Sequence, residues 1–357
     1  MKAGFARIDV TPPIGSTLIG YYSPRIADDV ITPLEANAVA FSDGENTAVI
    51  ISIDNLSIMK REMDIMKALI TKRCGIPYEY IFIACTHIHT GPSVCVEHLF
   101  PPEPGYTEAF FRKICDVAFF ALKDMKEAVP HIARGKAENV AFVRRFRMKD
   151  GTIMTNPSSK HAENVLGVAG EPDDELQLIK FVREGASDIA IVNFQVHPDV
   201  IGGTKICSDY PGFLRSTLES ALCDVADGKG VRVIYLNGTQ GDTVHAKRID
   251  ENGNFTTKFK GGVEHSRHMG RTLAGVVMSI YTYAEQIEDG RVFGSVRYVP
   301  VESNKGTPEE VELAKKIKPL YEQGGSEAIK EFGMPINKAI RILALENTPE
   351  IVDVNVS

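Results

Sequence analysis

Four short runs of apolar and β-branched residues punctuate the chain: Ala48 to Ile53, Tyr80 to Ala84, Ile189 to Val196 and Val231 to Leu236. Runs of about five to eight such residues read as buried strands. The stretches between them follow a helical period. Met63, Met66 and Ile70 mark one face of a helix from Lys60 to Arg73. Thr107 to Val129 keeps an apolar stripe until Pro130 stops it, and Pro211 to Ala226 and Val263 to Ala284 repeat the pattern. Strands alternating with helices predict an α/β fold, with a layered mixed sheet flanked by helices in a single large domain over 1–357.

Other segments are patterned differently. From Ala133 to Thr155, two short extended stretches flank Lys149-Asp150-Gly151, and Asp-Gly is a strong hairpin signal. Pro157 to Asp174 reads as a long polar loop. Thr307 to Phe332 is charged and helical, with an interruption at Gly324-Gly325, and Ile336 to Leu345 and Ile351 to Val356 are apolar again. The chain stops inside that last strand-like run.

Composition narrows the function classes. The 40 Lys plus Arg against 47 Asp plus Glu give a net charge of −7, which argues against a dedicated nucleic-acid binder. No apolar run reaches the roughly 18 to 20 residues needed to span a bilayer. The first residues do not lead into a signal-peptide core, so a cytoplasmic location is expected. The six cysteines include no Cys-x-x-Cys pair and read as reduced, buried thiols.

Polar and ionisable residues collect where the four apolar runs end: Asp54-Asn55, Thr86-His87-Ile88-His89-Thr90-Gly91-Pro92, His197-Pro198-Asp199, and Asn237 to His245. In open α/β sheets the carboxyl ends of parallel strands line the ligand crevice, so these segments are expected to meet. His87 and His89 are two apart and face the same way in an extended chain. With His197 they would suit zinc, which takes nitrogen ligands and keeps one position for water. A pair of hydrogen-bonded strand-end histidines is the plainer alternative. Asp54 reads equally as a helix cap or as support for the site, Asp209 as a cap near Pro211, and Asp199 as a ligand-orienting group or a turn former. The turn from Gly238 to Asp242 could aim backbone N–H groups at an oxyanion. One of Arg144, Arg145 and Arg147 could reach a carbonyl or acidic group. His98, His131, His161, His265 and His268 read as surface or packing residues.

Taken in order, Ala6-Arg7-Ile8-Asp9-Val10-Thr11-Pro12-Pro13, the histidine segment from Thr86 to Pro92, Phe194-Gln195-Val196-His197-Pro198, Ser208-Asp209-Tyr210-Pro211-Gly212 and Asn237-Gly238-Thr239-Gln240-Gly241-Asp242 resemble the catalytic domain of the neutral/alkaline, non-lysosomal ceramidases. Asp173-Asp174-Glu175-Leu176 is also similar, and the resemblance runs from about Ala3 to Ala284. It implies a zinc-dependent amidase acting on an N-acyl bond. His87 and His197 would be zinc ligands, His89 a second active-site histidine, and Arg144 or Arg145 the family's site arginine. The family's Gly-Asp-Val-Ser-Pro is replaced here by Gly241-Asp242-Thr243-Val244-His245, which puts Val244 in the serine's place. The family's glutamate-bearing Pro-Gly-Glu loop is expected just where this sequence stops, and the resemblance does not extend to the immunoglobulin-like domain of larger members.

The sequence thus predicts a zinc hydrolase of an amide or related acyl bond. His89, His245, Arg144 and Asp242 would serve catalysis on a small or lipid-like acyl amide. A non-catalytic metal- or ligand-binding relative is the alternative, and a metal-dependent phosphoesterase would need more carboxylates than the motifs supply.

Overall fold

The computed structural model describes residues 1–23, 25–95, 100–250, 254, 256 and 261–356. The chain falls into two compact units, Met1–Phe293 and Gly294–Ser357.

The first unit is built on a nine-stranded mixed sheet. Its strands are β1 (Lys2–Asp9), β2 (Glu35–Ser42), β3 (Thr47–Ile53), β4 (Ile81–Cys85), β5 (Lys126–Lys136), β6 (Glu175–Arg183), β7 (Asp188–Phe194), β8 (Val231–Asn237) and the short β9 (Glu285–Gln286). They lie in the order β8-β7-β6-β5-β1-β2-β3-β4, with β9 added beside β5. Only β3–β4 and β7–β8 are parallel; the other pairs are antiparallel.

The β1–β5 junction is thin, pairing Lys2 with Glu127 and Ala3 with Lys126 and ending on the Ala128 N–H bond to the Met1 carbonyl. There the sheet folds over, so that its outer strands meet: Ser52 of β3 donates to the Tyr235 carbonyl of β8 at 2.5 Å. Phe41 of β2 stacks on Phe181 of β6 at 6.0 Å, within an inner layer that also holds Val39, Ile189, Ile191 and Ile234. Helices α1 (Lys60–Cys74) and α2 (Tyr106–Lys123) cover the outside of the β1–β4 half, burying Met66, Ile70, Phe110 and Ile114 against Ala38, Val49 and Ile51. Helices α3 (Asp209–Ala221) and α4 (Val263–Tyr281) cover the other half, burying Leu214, Leu218, Leu273 and Val277 against Leu178, Val192 and Val233. The result is four layers, helix–sheet–sheet–helix.

The four apolar runs are strands β3, β4, β7 and β8, as their composition predicts. The helix expected from Thr107 to Val129 ends early, at Lys123. Asp124 then turns the chain, its carboxylate accepting the Phe5 N–H at 2.9 Å and the Arg183 guanidinium at 2.5 Å. Ala128 to Pro130 belong to β5, paired along Phe181 to Arg183 of β6. Sheet pairing there overrides a helical period that local sequence alone suggests. The predicted hairpin forms between Arg145–Met148 and Ile153–Thr155 around Gly151, and the long polar loop contributes a third strand, Val165–Val168.

The second unit has its own core of Ala314, Ile317, Ile329, Met334, Ala339 and Ile342. Helix α5 (Pro308–Ala328) starts with a Thr307/Glu310 capping box and is broken at Gly325 (φ 65°, ψ −156°), as Gly324-Gly325 foretells. Helix α6 (Ile336–Leu345) and the antiparallel strands β10 (Arg297–Glu302) and β11 (Ile351–Val356) complete it.

Candidate metal centre

The fold-over brings the carboxyl ends of the two parallel pairs together. Asn237, closing β8, donates from Nδ2 to the Thr86 carbonyl after β4 at 3.0 Å. His87 and His89 follow β4, and His197 follows β7. One ring nitrogen from each of these three imidazoles lies within 4.8 Å of the others, the only such group of potential metal ligands among the described residues. The Nε2 atoms of His89 and His197 are 3.0 Å apart, and the His87 ring stands edge-on to both, at 5.2 and 4.7 Å.

Their convergence has a different cause from strand alternation. His87 lies beyond β4 with φ of 69°, in the left-handed region that a β-carbon disfavours. The turn holds because its N–H donates to the Asn55 carbonyl at 2.8 Å and its Nδ1 pairs with the Leu56 carbonyl at 2.9 Å. That second bond places the proton on Nδ1 and leaves Nε2 with a free lone pair.

His89 and His197 are 8% exposed. Burial first, and then the neighbouring imidazoles and Arg144, push their pKa down to about 3; burial lowers that of His87 as well. All three are therefore neutral at pH 7, the state in which histidine ligates metals. Among the described residues, the buried Nδ1 atom of His197 has no hydrogen-bond partner, and Nδ1 of His89 faces the Gly20 backbone. The carboxylate of Asp199 sits 3.7 Å from Nδ1 of His89 and accepts the Tyr21 hydroxyl. Arg25 stacks over Tyr21 at 4.1 Å and donates to the His89 carbonyl at 2.7 Å. Converging neutral nitrogens, with outer groups positioned on two of the rings, fit a bound metal ion.

Two buried acids support this frame. Asp54 caps no helix: α1 is preceded by Met59, and Asp54 instead holds Arg215 through two hydrogen bonds of 3.0 and 2.5 Å while accepting the Glu35 N–H. Asp209 (φ 51°) accepts N–H bonds from Val200 and Ile201 at 3.0 and 3.1 Å, and the Ser266 hydroxyl at 2.6 Å, fixing the loop just after His197. Its burial raises its pKa to about 6.

No family model and no curated protein matches the chain. Solved structures do. One is the neutral ceramidase from Pseudomonas aeruginosa, at 16% identity and a TM-score of 0.68, with 99% of this chain and 60% of that one covered. Another is a ceramidase complexed with C2, at 18% identity and a TM-score of 0.63, with 87% and 48% covered. The chain has a neutral ceramidase-like fold. It spans about half to three-fifths of the length of these neighbours.

On this ceramidase-like fold the remaining predicted residues sit as follows. Arg144 is half-buried and donates from Nε and Nη2 to the Gly241 carbonyl at 3.0 and 2.5 Å, and its backbone N–H bonds the Asp242 carbonyl at 2.8 Å. Its charge is felt by all three imidazoles, whereas Arg145 and Arg147 are exposed on the hairpin. The Asp242 side chain is exposed. Within the Gly238 to Asp242 turn, the Gly238 N–H is bonded to the Phe194 carbonyl and so is not aimed at a ligand. Val244 is buried in a short antiparallel pair with Phe142.

His245 stands beside His265 at a ring distance of 5.5 Å, outside the three-histidine group, and shares the field of Asp199 with it. His268 stacks on His265 at 6.3 Å. His131 and His161 bond locally to Val129 and Ser158, and His98 lies outside the described residues. Sequence reading missed Gly20, Tyr21 and Arg25. No spacing signal ties them to histidines some 70 positions away; the bridge between Leu18 and Pro92 and the Arg25 hydrogen bond to the His89 carbonyl bring them in.

Proposed function

We propose that the protein is a zinc-dependent hydrolase of an amide (N-acyl) or related acyl bond. The observation that carries this reading is the convergence of the neutral, buried imidazoles of His87, His89 and His197 on a fold shared with ceramidases. Three nitrogen ligands with one position left open are the usual set of a catalytic zinc site. Bound there, zinc would polarise the scissile carbonyl and bring the pKa of a water toward about 7.

The chain's own residues do the rest. The Leu56 carbonyl orients His87 through a hydrogen bond, and the Asp199 carboxylate faces Nδ1 of His89 from 3.7 Å. Arg144, anchored on Gly241, steadies negative charge growing on the carbonyl oxygen, and Asp242 positions Arg144 through its backbone. His245 is neutral at pH 7, burial holding its pKa at about 4, and we assign it the proton taken from water and returned to the leaving nitrogen. With Val244 buried where a ceramidase carries serine, the nucleophile is water rather than a protein hydroxyl. A lipid-like or small soluble acyl amide is the substrate class.

The test is elemental analysis together with a screen of N-acyl amides, esters and N-acetyl sugars. About one zinc per chain is expected. His87→Ala should lose the metal and reduce turnover by more than ~100-fold, beyond the cost of losing a supporting outer group. Full activity of metal-free protein would exclude the mechanism, and zinc without turnover would leave a binding protein.

A further inference from the structure

At the opposite ends of β7 and β8 from the histidines, roughly 20 Å along the strands, the first unit has a cleft of about 480 Å³. Its lining includes four cations, Arg7, Arg183, Lys229 and Arg232, and one carboxylate, Asp124. In a chain with a net charge of −7, so concentrated a positive cleft is unexpected.

Two of the cations are neutralised within the fold. Arg7 is bound by Glu219 at 3.1 and 2.7 Å and lies 3.2 Å from Glu35, and the buried Arg183 is bound by Asp124 at 2.5 Å. Lys229 and Arg232 are exposed and have no carboxylate partner among the described residues. The loop that carries Lys229 is strained: Ala226 and Asp227 are left-handed at φ 54° and 55°, followed by Gly228 at 78° and Gly230 at 72°. Non-glycine residues in that region cost of order 1 kcal/mol each, and such strain persists where surrounding structure enforces it, often at ligand clamps. The Gly230 carbonyl is tied to the Asp188 N–H at 3.0 Å, which holds the loop against β7 beside Ser187.

We propose that this cleft is a binding site for a small phosphate-bearing molecule. Lys229 and Arg232 supply the uncompensated charge, Ser187 a hydroxyl, and Phe5 an apolar wall for the organic part. A cleft of this size suits a compact metabolite-sized ligand rather than a macromolecule. Arginine and lysine together favour a phosphate dianion over a monocarboxylate.

Calorimetric titration of the full chain with inorganic phosphate, glycerol phosphate and acetate tests this. Saturable phosphate binding is expected, with glycerol phosphate at least as tight. The Lys229→Ala/Arg232→Ala variant should weaken it by about tenfold or more. Both positions are exposed, so the fold is retained. His89→Ala/His197→Ala separates the cleft from the histidine site and should bind phosphate unchanged. Loss of binding in that variant, unchanged binding in Lys229→Ala/Arg232→Ala, acetate as tight as phosphate, or no saturation by roughly 10 mM would each overturn the proposal.

Discussion

His87 and Gly20 show how much of the site rests on single backbone angles. His87 keeps φ at 69° because Asn55 and Leu56 pin both its N–H and its ring. Gly20, at φ +115°, lies against His89: a β-carbon there would sit 2.8 Å from Nδ1. Gly20→Ala should therefore push His89 off its position and weaken zinc binding by about tenfold or more, measurable by competition with a chromophoric chelator. Unchanged affinity would mean that the His89 ring is not held in place by that contact. His245 carries a pH signature. Its folded-state pKa, about 4, lies below the ordinary 6.5, so the neutral ring contributes stability that is present above pH 6.5 and is lost as pH falls through 4. In metal-free protein, His245→Gln should reduce the stability difference between pH 7 and 4.5 by about 2 kcal/mol in urea unfolding. An unaltered difference would place the acid sensitivity elsewhere.

Among the elements, α3 ties the two sheet halves together through charge. Arg215 bonds Asp54 at the end of β3 and Glu35 of β2, while Glu219, one turn on, holds Arg7 of β1 and the Val233 N–H of β8. Desolvation raises the pKa of Asp54, and Arg215 acts against it. Removing one member strands a buried charge, so Arg215→Met should cost about 3–5 kcal/mol in chemical denaturation. Adding Asp54→Asn should return part of that loss; a fully additive double variant would show that the pair is not coupled. Asp54 was visible in the sequence as a polar residue after a strand. Its partner was not, because 161 residues separate the two.

Across the whole molecule, the histidines bridge the fold-over: His87 and His89 belong to the β1–β4 half, and His197 to the half containing β7. A metal held by both halves binds the folded chain and not the unfolded one, and so stabilises it by mass action. Chelation should lower Tm by several degrees, and zinc should restore it. An unshifted Tm would argue against a metal shared between the halves. No described helix is long and apolar enough to cross a membrane.

Local elements and the residue types at strand ends were legible from the order of amino acids alone. Apolar runs placed β3, β4, β7 and β8, helical periods placed α1, α3 and α4, and Asp-Gly placed the hairpin. These signals are local, carried by side-chain period and turn chemistry within a dozen residues. The same order also named His87, His89 and His197 as a group. Long-range packing sets β3–β4 and β7–β8 in opposite halves of a folded sheet, separated by antiparallel strands whose mixed patterns gave no sign of them. It turned the end of the predicted helix into β5, kept His245 out of the three-histidine group, and supplied Gly20, Tyr21 and Arg25 from the distant N-terminal segment. Those outcomes depend on which surfaces pack together, and packing is a property of the whole chain that no local window contains.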